Sequence, residues 1–371
     1  MIASLKQQPG LKAGRGVISS NFQPLSREAR EFIGEMNRMG SARLPFLFII
    51  DFGFTRPLLF PLAALDGDKV CFLMNGLEDK SLQDIPSSFR FEKHPPEYRR
   101  YLEAFAYVNE CQRRGDSYLC NLTFPTLLDT DLTLEEIYRC SRARYKLFLR
   151  DRFTVFSPET FVRIQSGRIS SFPMKGTIDA AVPDAAAVIL ADEKETAEHI
   201  TIVDLIRNDL GMVARNIRVK RFRYVERIRT QYRDLLQVSS EVCGDLPSDY
   251  HEHLGTIMAA MLPAGSVTGA PKRRTVEIIR AAEGYERGYY TGVFGVFDGQ
   301  DLESAVMIRF VEQKDGRLYY KSGGGITVYS DPLSEYREIV DNVYVPIGGV
   351  SCNPGRTVIS HLFSPGPYER L

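Results

Sequence analysis

Residues 289–321 read YYTGVFGVFDGQDLESAVMIRFVEQKDGRLYYK. Three apolar runs rich in β-branched and aromatic residues occupy this stretch, Tyr289–Phe297, Ala305–Val311 and Leu318–Lys321, and each reads as a strand. No helical period separates them. Upstream, strands are expected at Pro45–Phe52 (PFLFIIDF), Lys69–Met74, Tyr118–Thr123 and around Thr154 and Val162. Helices are expected over Glu97–Gln112, from Thr133, and from near Pro332. A long one is expected from about Asp192 to Val213, where Ala197, Ile200, Val203, Ile206, Leu210 and Val213 recur at helical spacing. Strands and helices therefore do not alternate regularly, as a doubly wound parallel sheet would require. The pattern points to an α+β fold with large, mainly antiparallel sheets.

A chain of 371 residues buries a large core, as two or three domains or as one large mixed-sheet fold. Lys+Arg and Asp+Glu both number 47, so no basic excess favours nucleic acid or an anionic membrane, and an anionic substrate must be met by local groups. Six cysteines without a C-x-x-C pair suggest reduced thiols rather than a disulfide framework. The polar N-terminus has no signal-peptide apolar region, and no apolar run approaches the roughly 18 residues that span a bilayer, so the expected location is the cytoplasm. From Pro346 to the end (346–371) the composition turns to Pro, Gly and Ser, and an irregular tail is expected.

Five constellations carry chemistry. Glu195-Thr-Ala-Glu198 and Glu335-Tyr-Arg-Glu338 are E-x-x-E pairs, and residues three apart on a helix share a face. Two such faces brought together would offer the hard oxygen ligands that suit Mg²⁺, although either alone also describes a solvated helix surface. A di-iron bundle would want Glu-x-x-His, and position 201 is Thr201. Pro263–Lys272 (PAGSVTGAPK) precedes a helical run, so its backbone N–H groups could face an anion or form a structural turn; it lacks Walker spacing. Ser322-Gly-Gly-Gly-Ile326 could form a backbone nest for a carboxylate, or a plain turn or bulge. Lys175, between Pro173 and Gly176, is a candidate nucleophile if burial or a cation lowers its pKa, or an ordinary solvated lysine. Within Ile202–Asp209, Asp204, Arg207 and Asp209 read as structural ion pairs.

In this order the segments resemble the chorismate-utilising enzymes: anthranilate, aminodeoxychorismate, isochorismate and salicylate synthases. The stretches are Gly115–Leu122, Pro173–Thr177, Glu198–Asp209, Gly265–Lys272, Tyr290–Gly295, Ile308-Arg309 and Ser322 through Glu338, spanning about residues 95–345. The resemblance implies one large fold of layered antiparallel sheets flanked by helices, with residues 1–345 as the catalytic domain and 1–94 its less recognisable part. It implies Mg²⁺ held chiefly by Glu198 and Glu338, with Glu195 and Glu335 in support. It also implies Tyr290 and Arg309 at a substrate carboxylate, and Gly323, Gly324 and Gly325 donating backbone N–H groups, with Thr177 and Ser266 in the same substrate site. A dianionic substrate in a neutral protein needs such a metal, guanidinium and aimed dipoles.

Lys175 makes the chain most similar to aminodeoxychorismate synthase component I, where this loop carries Lys and anthranilate and isochorismate synthases usually carry Ala. The implied reaction has Lys175 attack chorismate and expel its 4-hydroxyl, after which ammonia adds at the 4-position and releases the lysine, toward p-aminobenzoate and folate. No water-activating Lys occupies position 119, which is Leu119, and the L-L-E-S signature of feedback-regulated anthranilate synthases is absent. Departures are Gln237 for the family's His, Asn342 for a Lys four residues after the last Glu, and Leu119 for a Gln. No glutaminase-type Cys with a His/Glu pair is evident, so a separate glutamine amidotransferase subunit is the expected partner, with free ammonia as a substitute. The rivals are anthranilate synthase component I and a catalytically silent chorismate- or metal-binding subunit.

Overall fold

The computed structural model describes residues 25–74, 89–229 and 234–346; the expected tail beyond Pro346 lies outside them. The chain opens with helix α1 (Arg27–Ser41) and strands β1 (Phe46–Ile50), β2 (Leu58–Pro61), β3 (Val70–Leu73) and β4 (Phe91–His94). Helix α2 (Tyr98–Arg113), the long β5 (Leu119–Thr130) and α3 (Leu134–Cys140) follow. Next come β6 (Tyr145–Leu149), β7 (Phe153–Ser157), β8 (Thr160–Gln165), β9 (Arg168–Ser171) and β10 (Met174–Asp179). Helices α4 (Ala185–Ala191) and α5 (Glu193–Gly211) lead to the β11 (Arg215–Arg229) and β12 (Asp234–Asp245) strands. The last third holds α6 (Leu254–Met261), β13 (Gly269–Ala270), α7 (Lys272–Glu283), β14 (Val293–Phe297), β15 (Leu302–Val306), β16 (Phe310–Lys314), β17 (Arg317–Ile326) and α8 (Pro332–Asp341).

Every strand pairing is antiparallel, as the absence of regular alternation implied. One sheet has nine strands in the order β10-β12-β9-β8-β15-β14-β1-β2, with β11 on β12. The other has eight, β13-β5-β17-β16-β7-β6-β3, with β4 on β5. Strand β1 shows why they stack. Its period of two sends Phe46, Phe48 and Ile50 into the core beneath α1, α5 and α6, and Leu47 and Ile49 into the core between the sheets. Against the far face of the eight-stranded sheet lie α2, α7 and α8, with Tyr101, Ile279 and Ile339, and separately α3 with Ile137 and Tyr138. The result is helix, sheet, sheet, helix: the layered α+β architecture.

The run Ala305–Val311 is not one strand. Its first residues end β15 in the nine-stranded sheet and its last begin β16 in the eight-stranded one. The chain changes sheets at Met307–Arg309, where Arg309 takes a left-handed φ of 52°. Continuous apolar character hides this crossing, because both sheets bury it. Of the expected strand Tyr289–Phe297 only Val293–Phe297 is strand, with a turn before it; the other expected elements are present, and β5 runs on to Thr130, well past the expected Thr123. Thr133 caps α3 with a capping box to Glu136, which accounts for the helix start there.

Ile49 is fully buried between the sheets, whereas Val188 on α4 is half exposed. Ile49→Ala is expected to lower the unfolding free energy by about 3 kcal/mol and Val188→Ala to change it by less than about 0.5 kcal/mol, read by urea denaturation.

Candidate active site

Helix α5 is fixed at its start by Asp192, whose carboxylate accepts the Glu195 N–H at 2.9 Å. Ile202, Val203, Ile206 and Leu210 bury its other side against the nine-stranded sheet. Glu195 and Glu198 are thereby turned to edge strand β10. The pairing of β10 with β12 slips between Met174 and Thr177, and within that irregularity Gly176 has φ +84°. That left-handed φ favours glycine, and a Cβ at 176 would also press within 3.3 Å of Glu195 Oε2. Lys175 Nζ lies 2.7 Å from Glu198 Oε2.

Helix α8 approaches from the eight-stranded sheet. Asp331 caps it, accepting the Ser334 N–H, and Pro332 occupies the first turn. The helix packs on β17, where a Cβ at Gly324 would make an ordinary 3.5 Å contact with Glu335 Oε2, and Ser322 Oγ donates to the Ile339 carbonyl at 2.8 Å. Glu335 is buried and Glu338 exposed, both within electrostatic reach of the buried Tyr101 hydroxyl. The expected glycine nest is corrected. Gly323, Gly324 and Gly325 are extended ladder residues of β17, paired with Thr123, Leu122 and Asn121 of β5, and none has positive φ. Strand β16 stops pairing at Lys321, so alternate backbone groups of this stretch face the side it leaves open.

The two acidic helix faces meet at Lys175. Burial lowers the pKa of its ammonium, but the charges of Glu198, Glu195 and Glu338 outweigh this and hold it above its ordinary value. The condition expected for a nucleophile, a lowered pKa, is therefore not met by the protein alone. An all-oxygen donor set that includes the buried Glu335 carboxylate fits a hard divalent cation such as Mg²⁺. Among the described residues the group whose ligand atoms all lie within 4.8 Å of one another is instead Glu92, His94 and Asp129 on β4 and β5. Asp129 already pairs with Arg90 there at 2.8 Å. Glu198, Glu195 and Glu338 thus surround an ammonium rather than closing a tight cage, with Glu335 on the same helix as Glu338.

Other expected residues are dispersed about this centre. Thr177 is exposed and lies across the ladder from Gln237. Ser266 donates to Glu159 in a small cleft it shares with Pro173 and Ile206; burial raises the Glu159 pKa against that hydrogen bond. Tyr290 is buried in the inter-sheet core against Phe310, while the Arg309 guanidinium goes to Tyr344. Leu119 borders Gly325 and Asn342 ends α8, its N–H donating to the Glu338 carbonyl, so two of the three departures flank the glycine strand and the acidic helix.

Two buried ionic groups support the site. Lys272 joins Asp209 at 2.7 Å and donates to the Met261 carbonyl, tying α5 to α7; burial presses both members toward their neutral forms. Asp204–Arg207 is only a surface pair. The second group escaped sequence reasoning, because Glu283 and Arg287 read as an ordinary i,i+4 pair. Both are almost fully buried, 2.6 Å apart. Glu283 accepts from Thr123 N and Oγ1, and Arg287 donates to the carbonyls of Asn121 and Val267. They clamp β5 beside the glycines. His199, next to Glu198, is likewise buried, 2.7 Å from Ser240 Oγ, with burial and Arg223 lowering its pKa to about 4.

The family model described as chorismate binding enzyme matches residues 66–346. An uncharacterised PabA-like protein of Haemophilus influenzae is 47% identical over 320 residues, covering 86% of this chain and 98% of its own. Aminodeoxychorismate synthase component 1 of Klebsiella aerogenes is 34% identical, covering 66% of this chain and 56% of that one. Anthranilate synthase component 1 of Archaeoglobus fulgidus is 36% identical, covering 62% and 57%. The chain thus spans just over half of each of these longer synthases. The crystal structure of anthranilate synthase component I from Streptococcus pneumoniae superposes with a TM-score of 0.61 at 28% identity, covering 70% of this chain and 60% of that one.

Glu283→Gln leaves the Arg287 charge buried without its carboxylate. It is expected to cost about 3 kcal/mol or more of stability, measured by chemical denaturation.

Proposed function

Since the chain belongs to the chorismate binding enzyme family, we propose that it aminates chorismate as an aminodeoxychorismate synthase component I. The observation that carries this reading is Lys175, 2.7 Å from Glu198 and within the field of Glu195 and Glu338. Glu198 and Glu338, with Glu195 and Glu335 behind them, would hold Mg²⁺, which when bound supplies positive charge for the substrate's carboxylate. Arg309 takes the second carboxylate, and Tyr290, Thr177, Ser266 and Gly323 to Gly325 shape the surrounding site.

Lys175 then acts as nucleophile. Its free amine attacks the ring as the 4-hydroxyl leaves, and ammonia entering at the 4-position releases the lysine and yields 4-amino-4-deoxychorismate. In the ammonium form Lys175 has no electron pair to offer, and Glu198 Oε2 is the nearest acceptor for its proton. Ammonia comes from a separate glutamine amidotransferase subunit. The identity to anthranilate synthases, as high as to aminodeoxychorismate synthases, favours a second reading in which ammonia enters at the 2-position and pyruvate is lost.

Incubation with chorismate, Mg²⁺ and ammonium separates the two. Under the first reading the product mass is that of aminodeoxychorismate and becomes p-aminobenzoate when a lyase is added; direct appearance of fluorescent anthranilate supports the second. Lys175→Ala should lose amination by on the order of a hundredfold or more while still binding chorismate, and full retained activity would remove Lys175 from its role.

A further inference from the structure

The segment after α8 is held at three points. Val343 and Val345 pack into the core beneath α3, and the Pro346 carbonyl accepts the Arg142 N–H at 2.8 Å. Between the two valines, Tyr344 is turned the other way, 39% exposed. Its ring lies under the Arg309 guanidinium, 4.7 Å from centroid to Cζ, and its hydroxyl accepts from Arg309 Nη1. Arg309 is equally constrained. It has left-handed φ at the crossing between sheets, and its carbonyl accepts the Phe156 N–H.

The two residues form a donor pair with no acid to receive it. Among the described residues Arg309 has no carboxylate partner, whereas the comparably buried Arg163 is paired with Glu303 and Arg287 with Glu283. Burial lowers the Arg309 pKa, and among the described residues Tyr320 is the group that works against this. Tyr320 is itself 1% exposed, and its hydroxyl has no hydrogen-bond partner. A guanidinium offers five N–H donors. A tyrosine that accepts one of them keeps its own proton to donate, and the cation strengthens that donation. Arg309 and Tyr344 together therefore present donors that an incoming anion can receive, since a half-buried arginine is costly without one.

We propose that Tyr344 is a substrate-positioning residue: its hydroxyl, held by Arg309, donates to the carboxylate that Arg309 receives. This rests on the reading of Arg309 as a chorismate contact. Its effect is on binding, because the carboxylate is remote from the bond that changes, so KM moves and kcat does not. The ring contributes separately by stacking on the guanidinium and holding its orientation.

The test uses the full chain. Chorismate binding is measured by titration calorimetry with Mg²⁺ and without ammonium, and KM and kcat are measured with ammonium. Tyr344→Phe keeps the ring and removes the donor. It is expected to raise Kd and KM for chorismate by about tenfold, leaving kcat and the thermal midpoint unchanged, the scale of one hydrogen bond to a charged group. Tyr344→Gln, which restores a donor without a ring, should recover part of the loss. Tyr329→Phe, at an almost fully exposed position, is the control and should change nothing. Unchanged or tighter binding in Tyr344→Phe overturns the proposal, the latter showing that the hydroxyl competes with the carboxylate for Arg309. Equal loss of kcat, or a fall in the thermal midpoint that matches the binding loss, also overturns it. Failure of the wild type to bind chorismate would instead strike the proposed function and take this inference with it.

Discussion

The contact between Lys175 and Glu198 stands where an edge strand, the helix packed on its sheet and the field of a helix from the other sheet come together. Lys175 belongs to the edge strand of the nine-stranded sheet, Glu198 to the helix packed on that sheet, and Glu338, which also acts on Lys175, to a helix of the other sheet. An ammonium among several carboxylates is their local counter-charge. In a chain whose formal charges cancel overall, the chemistry of an anionic substrate must come from such local arrangements. Gly176, with φ +84°, carries the lysine strand through its irregularity beside Glu195.

The supporting interactions show how such a site stays in register. A buried ion pair adds little net stability against an apolar replacement, yet losing one member is costly, so its value lies in specifying geometry. Asp209–Lys272 sets α5 against the segment before α7, and Glu283–Arg287 fixes β5 beside the glycine strand. His199, kept neutral by burial and by Arg223, adds a link between α5 and β12 through Ser240, whose own N–H donates to the Pro173 carbonyl, two residues before Lys175. The acidic helix and the lysine strand are thus held to a common anchor.

Much of this was legible in the sequence, for physical reasons that also mark the limits. The α5 period and the FLFII strand are visible because burial on one or two faces writes itself into apolar spacing. The acidic pairs are visible because helical spacing makes E-x-x-E a shared face. The sheet crossing at Arg309 is invisible, since an apolar run looks the same whether one sheet or two bury it. The β11–β12 pair was missed because RNIRVKRFRYVERIR carries charge where a half-buried strand should alternate. Glu283 and Arg287 look like surface residues until tertiary packing covers them, and the Ser322–Ile326 glycines look like a turn when they are a ladder. Their expected nest conformation is replaced by a ladder with β5.

The central claim is that the acidic faces of α5 and α8 serve one cation-binding region at Lys175. Mn²⁺ titration followed by electron paramagnetic resonance, in the presence of chorismate, addresses it most directly. The account predicts that Glu198→Gln combined with Glu338→Gln weakens Mn²⁺ binding by at least about tenfold, and that His94→Ala leaves it unchanged. Undiminished binding in the double glutamine variant, or loss of binding in His94→Ala, would contradict it.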